Sequence, residues 1–301
     1  MIPTLDPSTQ HFLNTLNRIA QRMERAQRQI ATGRKIAEVT DAPSSVSLVL
    51  AAQARFATND QRLDNLGRVK TEVDAAEQAL QNAVSLFDTF QTLAAQGATD
   101  TQTAASRNVI AQQIDGLLEQ MVGLADTAVE GRYIFAGDTD QQVPYTYNPA
   151  QANPVSAFGG ALSTRTVVHP NGTTFSIALT AQEIFDSSDP TTNVFAALRA
   201  VSEALKNNDG PAIRTAMDGL GKVSEFLNGQ LAFYGVAQNK VNNAINFGNA
   251  LKLQLQTQIA GFTETDLSQA VLELNQAQIQ QEAALAARAK FPKQSLFDYL
   301  G

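Results

Sequence analysis

The chain has 301 residues, 44% hydrophobic and 17% charged, enough for more than one compact unit with a real core. A net charge of -7 at pH 7 argues against a nucleic-acid partner, because binding phosphates requires a basic face that releases counterions. Without cysteine there is neither a disulfide framework nor a thiolate metal site, and a 7% aromatic content with no tryptophan favours close helix packing over a deep pocket.

The first element in chain order is a helix whose apolar residues Phe12, Leu16, Ile19, Met23, Ala26 and Ile30 alternate at spacings of four and three. That spacing makes a narrow seam for another helix. Thr32-Gly33 supplies a stop, and Asp41-Ala42-Pro43 followed by Ser44-Ser45 reads as a turn that restarts a helix. The same alternation returns in Leu66, Val69, Val73, Ala76, Leu80, Ala83, Phe87, Phe90 and Ala94, a run of roughly 40 Å at helical rise. Gly97 to Thr101 breaks it. Ile110, Ile114, Leu117, Met121, Leu124 and Ala128 then predict a partner helix, antiparallel to the one before.

Between about Gly137 and Pro190 the composition shifts to Pro, Gly, Asn and Thr. Thr164–Val168 and Thr173–Ile177 flank His169-Pro170-Asn171-Gly172, which predicts a β-hairpin with an Asn-Gly turn. Helical spacing resumes through Val194, Leu198, Val201 and Leu205, and again from about Pro211 to Ile259. A last helix starts at the capping residues Thr265-Asp266 and carries Leu267, Val271, Leu274 and Ile279 ahead of Pro292 and the closing Leu296, Phe297 and Leu300. The first helix bears Arg18, Arg22 and Arg25, whereas acids such as Glu264, Asp266, Glu273 and Glu282 outnumber bases in the last segment. The two ends are therefore complementary in charge.

The expected fold is mainly α: an elongated helical bundle or coiled coil built from both chain ends, with a small β-rich insert. Residues 1–42 and 263–301 are expected to form a terminal coiled-coil assembly domain, 43–137 and 191–262 a helical rod, and 138–190 an outward-facing insert. The assembly seam comprises Phe12, Leu16, Ile19, Met23, Ile30, Leu267, Val271, Leu274, Ile279, Leu296, Phe297 and Leu300. An isolated pair of such ends has little core, so they are expected to order when copies stack.

Residues suited to catalysis are sparse. His11 and His169 have no metal-ligand spacing, and Gly33-Arg34-Lys35 lacks the flanking residues of a phosphate-binding loop. Asp138 and Asp140 read as loop residues, and Asn171-Gly172-Thr173 as a turn rather than a glycan acceptor. No enzyme, metal or cofactor is expected. Met1 to His11 shows no basic-then-apolar leader, and no apolar stretch reaches the ~18 residues of a membrane helix, so neither signal-peptide cleavage nor membrane insertion is expected.

Leu16-Asn17-Arg18-Ile19, Ala31 to Ile36 and Thr40-Asp41-Ala42-Pro43 resemble the first helix, break and turn of the flagellin-like axial proteins of the bacterial flagellum. The block Gly131-Arg132-Tyr133-Ile134-Phe135-Ala136-Gly137 and the tail Gln294 to Leu300 resemble the hook–filament junction branch of that family. In the block, Tyr133, Ile134 and Phe135 make a short β-prone run between two glycines, a way out of a helical bundle into an insert. Arg132 is expected to pair with a carboxylate that the sequence alone does not name.

The resemblance implies a structural subunit of the extracellular flagellum, exported by the flagellar type III apparatus without a cleaved signal peptide. It also implies partners: other copies of itself, the neighbouring hook-associated protein 1 and flagellin, and a cytosolic export chaperone. Two rival readings are a short filament flagellin that polymerises alone and an enzyme or binding module carried on residues 138–190.

Overall fold

Heptad spacing becomes helix along most of the chain in the computed structural model, which describes residues 7–35 and 43–290. Among these residues eight helices and four short strands follow in order: α1 (Pro7–Thr32), α2 (Pro43–Gly97), α3 (Ala104–Ala125), β1 (Ala128–Val129), β2 (Arg132–Tyr133), β3 (Thr166–Val168), β4 (Thr174–Ser176), α4 (Ala181–Phe185), α5 (Val194–Lys206), α6 (Gly210–Asp218), α7 (Leu220–Thr263) and α8 (Leu267–Ala289). The expected class is the observed one: long helices from both ends and, among the described residues, two small antiparallel sheets. Leu296, Phe297 and Leu300 of the expected seam lie outside the described residues.

The chain divides into two compact units, one formed by residues up to Thr58 and from Leu251 onward, the other by Asn59–Ala250. In the second unit all nine seam residues from Leu66 to Ala94 are buried, and Ile110, Ile114, Leu117 and Met121 of α3 join the same core with Leu198, Val201 and Leu205 of α5. Phe87 and Phe90 meet at 5.3 Å between ring centroids in a tilted pair. The small residues Ala76, Ala83 and Ala94 let neighbouring backbones approach, which is how a core poor in aromatics still packs densely.

Local chemistry sets most helix ends. Thr103 caps α3 by accepting from Ser106 N, and Asp209 caps α6 by accepting from Ala212 N. At the far end of α2, Arg107 is almost fully buried and donates from Nε to Gly97 O (3.0 Å), from Nη2 to Thr99 O (3.2 Å) and from Nη1 to Asn208 Oδ1 (2.7 Å). A guanidinium thus satisfies carbonyls that the helix end leaves open.

Three details differ from the sequence expectation. The stretch from Pro211 to Ile259 is two helices, because Gly219 closes α6 before α7 begins. α3 ends at Ala125, so Ala128 sits on a strand and not on the helical seam. A short helix, α4, interrupts the β-rich stretch, held by a capping box in which Thr180 Oγ1 accepts from Glu183 N while Thr180 N donates to Glu183 Oε2.

Candidate assembly surface and central joint

In the unit that contains both ends, α1 and α8 run antiparallel. Arg288 Nη2 donates to Thr9 Oγ1 at 2.8 Å and its guanidinium lies 5.7 Å from the Phe12 ring centroid. Midway, Arg22 Nε meets Glu273 Oε1 at 3.3 Å while Nη1 donates to Gln280 Oε1 at 3.1 Å. At the other end Gly33, at φ +67°, turns the chain so that Lys35 N donates to Thr263 O and Thr265 N to Gly33 O. The Arg22–Glu273 pair is half-exposed, so it sets register more than it adds stability.

The expected seam residues distribute unevenly over this pair. On α1, Ile19 is buried together with Ala26, and Phe12, Leu16, Met23 and Ile30 are half-buried. On α8 the residues that are fully buried are Ala270 and Ala277; Leu274 is half-buried, whereas Leu267, Val271 and Ile279 are exposed. Two alanines seven residues apart let α1 approach closely, leaving the large side chains of α8 on its outer face.

The Gly131–Gly137 block forms a joint in the second unit. Glu130 and Gly131 both take positive φ, +52° and +77°, and close a two-residue hairpin in which Ala128 pairs with Tyr133 and Val129 with Arg132. Main-chain bonds then fan out: Tyr133 N to Asp140 O, Ile134 N to Thr127 O, Ala181 N to Phe135 O and Ala161 N to Ala136 O. Phe135 is fully buried, with its ring edge-on to Phe185 at 6.2 Å and to Tyr234 at 6.0 Å. Four consecutive residues, Tyr133 to Ala136, therefore tie the end of α3 to the insert, α4 and α7.

The carboxylates that Arg132 finds are Glu72, with Nη2 to Oε1 at 3.3 Å, and Asp140, with Nε to Oδ2 at 2.9 Å. The Asp140 contact is an ion pair without hydrogen-bond alignment. Glu72 also receives Arg165 Nη2 at 3.1 Å, so one carboxylate on α2 holds two arginines, from the joint and from the insert. Nearby, burial pushes the Asp126 carboxyl up to about 6, partly offset by the Tyr145 N–H that it accepts. Burial also raises the Tyr145 phenol, helped by the Asp186 carboxylate that its hydroxyl meets at 3.4 Å. The hairpin of β3 and β4 has the expected turn: Gly172 sits at φ +96°, and Asn171 Oδ1 accepts from Thr173 N. Among the described residues no cluster of metal-ligating side chains forms, and no helix is long and apolar enough to cross a membrane.

Residues 7–140 match the bacterial flagellin N-terminal helical region, and residues 217–300 match the bacterial flagellin C-terminal helical region. Flagellar hook-associated protein 3 of Escherichia coli is 25% identical over 284 residues, 87% of this chain and 86% of that protein. Flagellin B of Helicobacter pylori is 26% identical over 110 residues, 36% of this chain and 21% of that protein. Among solved structures, flagellar hook-associated protein 3 of Legionella pneumophila superposes with a TM-score of 0.62 at 10% identity, covering 71% of this chain and 98% of that one. With both flagellin helical regions present in order along the chain, and a hook-associated relative matched along most of its length, the chain belongs to the bacterial flagellin-like family of axial proteins.

Proposed function

We propose that this protein is a structural subunit of the bacterial flagellum that joins the hook-associated layer to the filament. The observation that carries this reading is coverage. The hook-associated relative is matched over 86% of its length, the filament flagellin over 21% of its own. On this reading the protein works by shape and packing rather than by catalysis. Its joint, held by Phe135 and the Glu72 charge cluster, fixes the insert on the helical body. The seam residues on α1 and α8 serve assembly, and thin burial between the helices supports this: among the described residues of α1 and α8, Ile19, Ala26, Ala270 and Ala277 are the fully buried ones. The ends therefore gain most of their order when copies stack. Residues 1–42 with 263–301 act as the assembly domain, 43–137 with 191–262 as the rod, and 138–190 as the outward insert.

The partners that follow are other copies, hook-associated protein 1 and flagellin. Export through the flagellar type III apparatus places the protein in the extracellular flagellum, and a cytosolic chaperone shields the apolar face of α8 beforehand. Electron microscopy and sedimentation of the purified chain, alone and with hook-associated protein 1 and flagellin, test the assignment. A bounded layer that forms with those partners is expected. Long filaments from this chain alone would refute the junction role in favour of a self-polymerising flagellin.

A further inference from the structure

Among the described residues, five of the fifteen large apolar side chains that are exposed belong to α8: Leu267, Val271, Leu272, Ile279 and Leu285. Helical spacing puts Leu267, Val271 and Leu285 along one edge and Leu272 with Ile279 along the other. Glu282 lies between the two edges, three residues from both Ile279 and Leu285, exposed and without an ion pair among the described residues. This face points away from Ala270 and Ala277, the side that α1 covers.

The same helix pair carries a groove of about 400 Å³, lined by Thr15, Arg18, Ile19, Arg22, Gln280 and Ala284. Its floor is apolar at Ile19 and Ala284, and its rim is cationic. Arg22 is already met by Glu273 and Gln280. Arg18 reaches only the Thr15 hydroxyl, at 3.5 Å, and has no carboxylate among the described residues. An apolar floor beneath a cation calls for an apolar ridge that carries one acid.

We propose that the outer face of α8 in one copy seats in the α1–α8 groove of a second copy, with Glu282 of the first facing Arg18 of the second. This inference rests on the reading that copies pack through their terminal helices, and it names the surfaces that meet. Ridge and groove are different patches of one helix pair, so the contact is heterologous: each copy spends its ridge on one neighbour and its groove on another. Such a contact builds a row or closes a ring.

Charge reversal in the full-length chain tests the pairing, read by sedimentation velocity over a concentration series at low salt, with circular dichroism to confirm that the helices remain. Arg18→Glu and Glu282→Arg should each weaken association by about tenfold or more, since like charges then face each other. The two single variants mixed together should associate again, because the acidic groove of one accepts the basic ridge of the other. The double variant should recover likewise. Wild-type chains that stay monomeric throughout, or a mixture no better than its components, would overturn the pairing. Incorporation of the wild type between hook-associated protein 1 and flagellin, scored separately, reports on the junction role, so the two failures are distinguishable.

Discussion

Gly137 and Gly131 stand six residues apart in the same block, both at positive φ, yet alanine should be tolerated very differently at the two. At Gly137 an added Cβ would lie 2.1 Å from Ala161 O and 2.7 Å from Ser163 O, with φ at +67°. The left-handed conformation costs an alanine about 1 kcal/mol or slightly more. Relieving the clash requires a backbone retreat of about 1 Å, which breaks Ala161 N–Ala136 O (2.9 Å) and Asp138 N–Ser163 O (3.1 Å), each worth about 1 kcal/mol. Gly137→Ala should therefore destabilise the joint by about 3 to 4 kcal/mol. At Gly131, φ +77°, nothing lies within 4 Å of the added Cβ, so Gly131→Ala should cost only the conformational part, about 1 kcal/mol. Gly131→Asn should cost less still, because asparagine tolerates that region. Urea titration followed by circular dichroism, with the slope of the transition checked for constancy, measures all three. Equal losses at Gly131 and Gly137 would refute the claim that crowding by the 161–163 carbonyls, rather than backbone conformation, makes Gly137 indispensable.

Arg107→Ala should lower stability by about 3 kcal/mol, because it strands the carbonyls of Gly97 and Thr99 and opens a cavity; Arg107→Lys should recover part of the loss, and a change under 1 kcal/mol in thermal or urea melts would contradict the capping role. Asp126 binds its proton more tightly in the fold, at about 6, than in the unfolded chain near 3.8, so its contribution is fully present below pH 4 and is lost as pH rises to 6, on the order of 2 kcal/mol. Asp126→Asn keeps an acceptor for Tyr145 N, and its stability curve between pH 4 and 7 should be flatter by that amount; parallel curves would refute the assignment. Glu72→Gln should cost about 1 to 2 kcal/mol, freeing Arg165 and leaving Arg132 with Asp140 alone, with the difference from wild type shrinking in high salt; amide exchange in residues 132–140 and 163–168 should quicken, and unchanged exchange would count against the bridge.

The long elements were legible because repetition makes them so. Each of the nine apolar residues from Leu66 to Ala94 recurs at helical spacing, and each is buried. The stop at Gly33 is legible for a similar reason, since a positive-φ glycine ends a helix with little help beyond its own neighbours, whereas the end at Gly97 is completed by Arg107, which the local sequence does not announce. α4 carried a usable signal, Thr180 three residues before Glu183, but five helical residues give too short a period to notice. The partner of Arg132 was out of reach, since Glu72 lies sixty residues away and only the fold brings them together. The α8 seam shows a different limit. Hydrophobic weight in the sequence falls on Leu267, Val271 and Ile279, while the face against α1 is set by how closely two helices approach, which favours Ala270 and Ala277. A pattern read by hydrophobicity alone finds the outer face before the inner one.

The antiparallel course of α1 and α8 also decides how the pair responds to load. Thr9 lies beside Arg288 at one end, and Lys35 beside Thr263 at the other. Tension applied through residues 7 and 290 would peel the helices apart one turn at a time: first the Arg288 contacts, then Arg22 with Gln280 and Glu273, and last the backbone bonds at Gly33. Tension between the start of α1 and the start of α8 would instead load every turn together. The same interactions thus make a zipper in one direction and a shear joint in the other, easy to undo when the chain is drawn out by its ends and hard to slip when force runs along the pair.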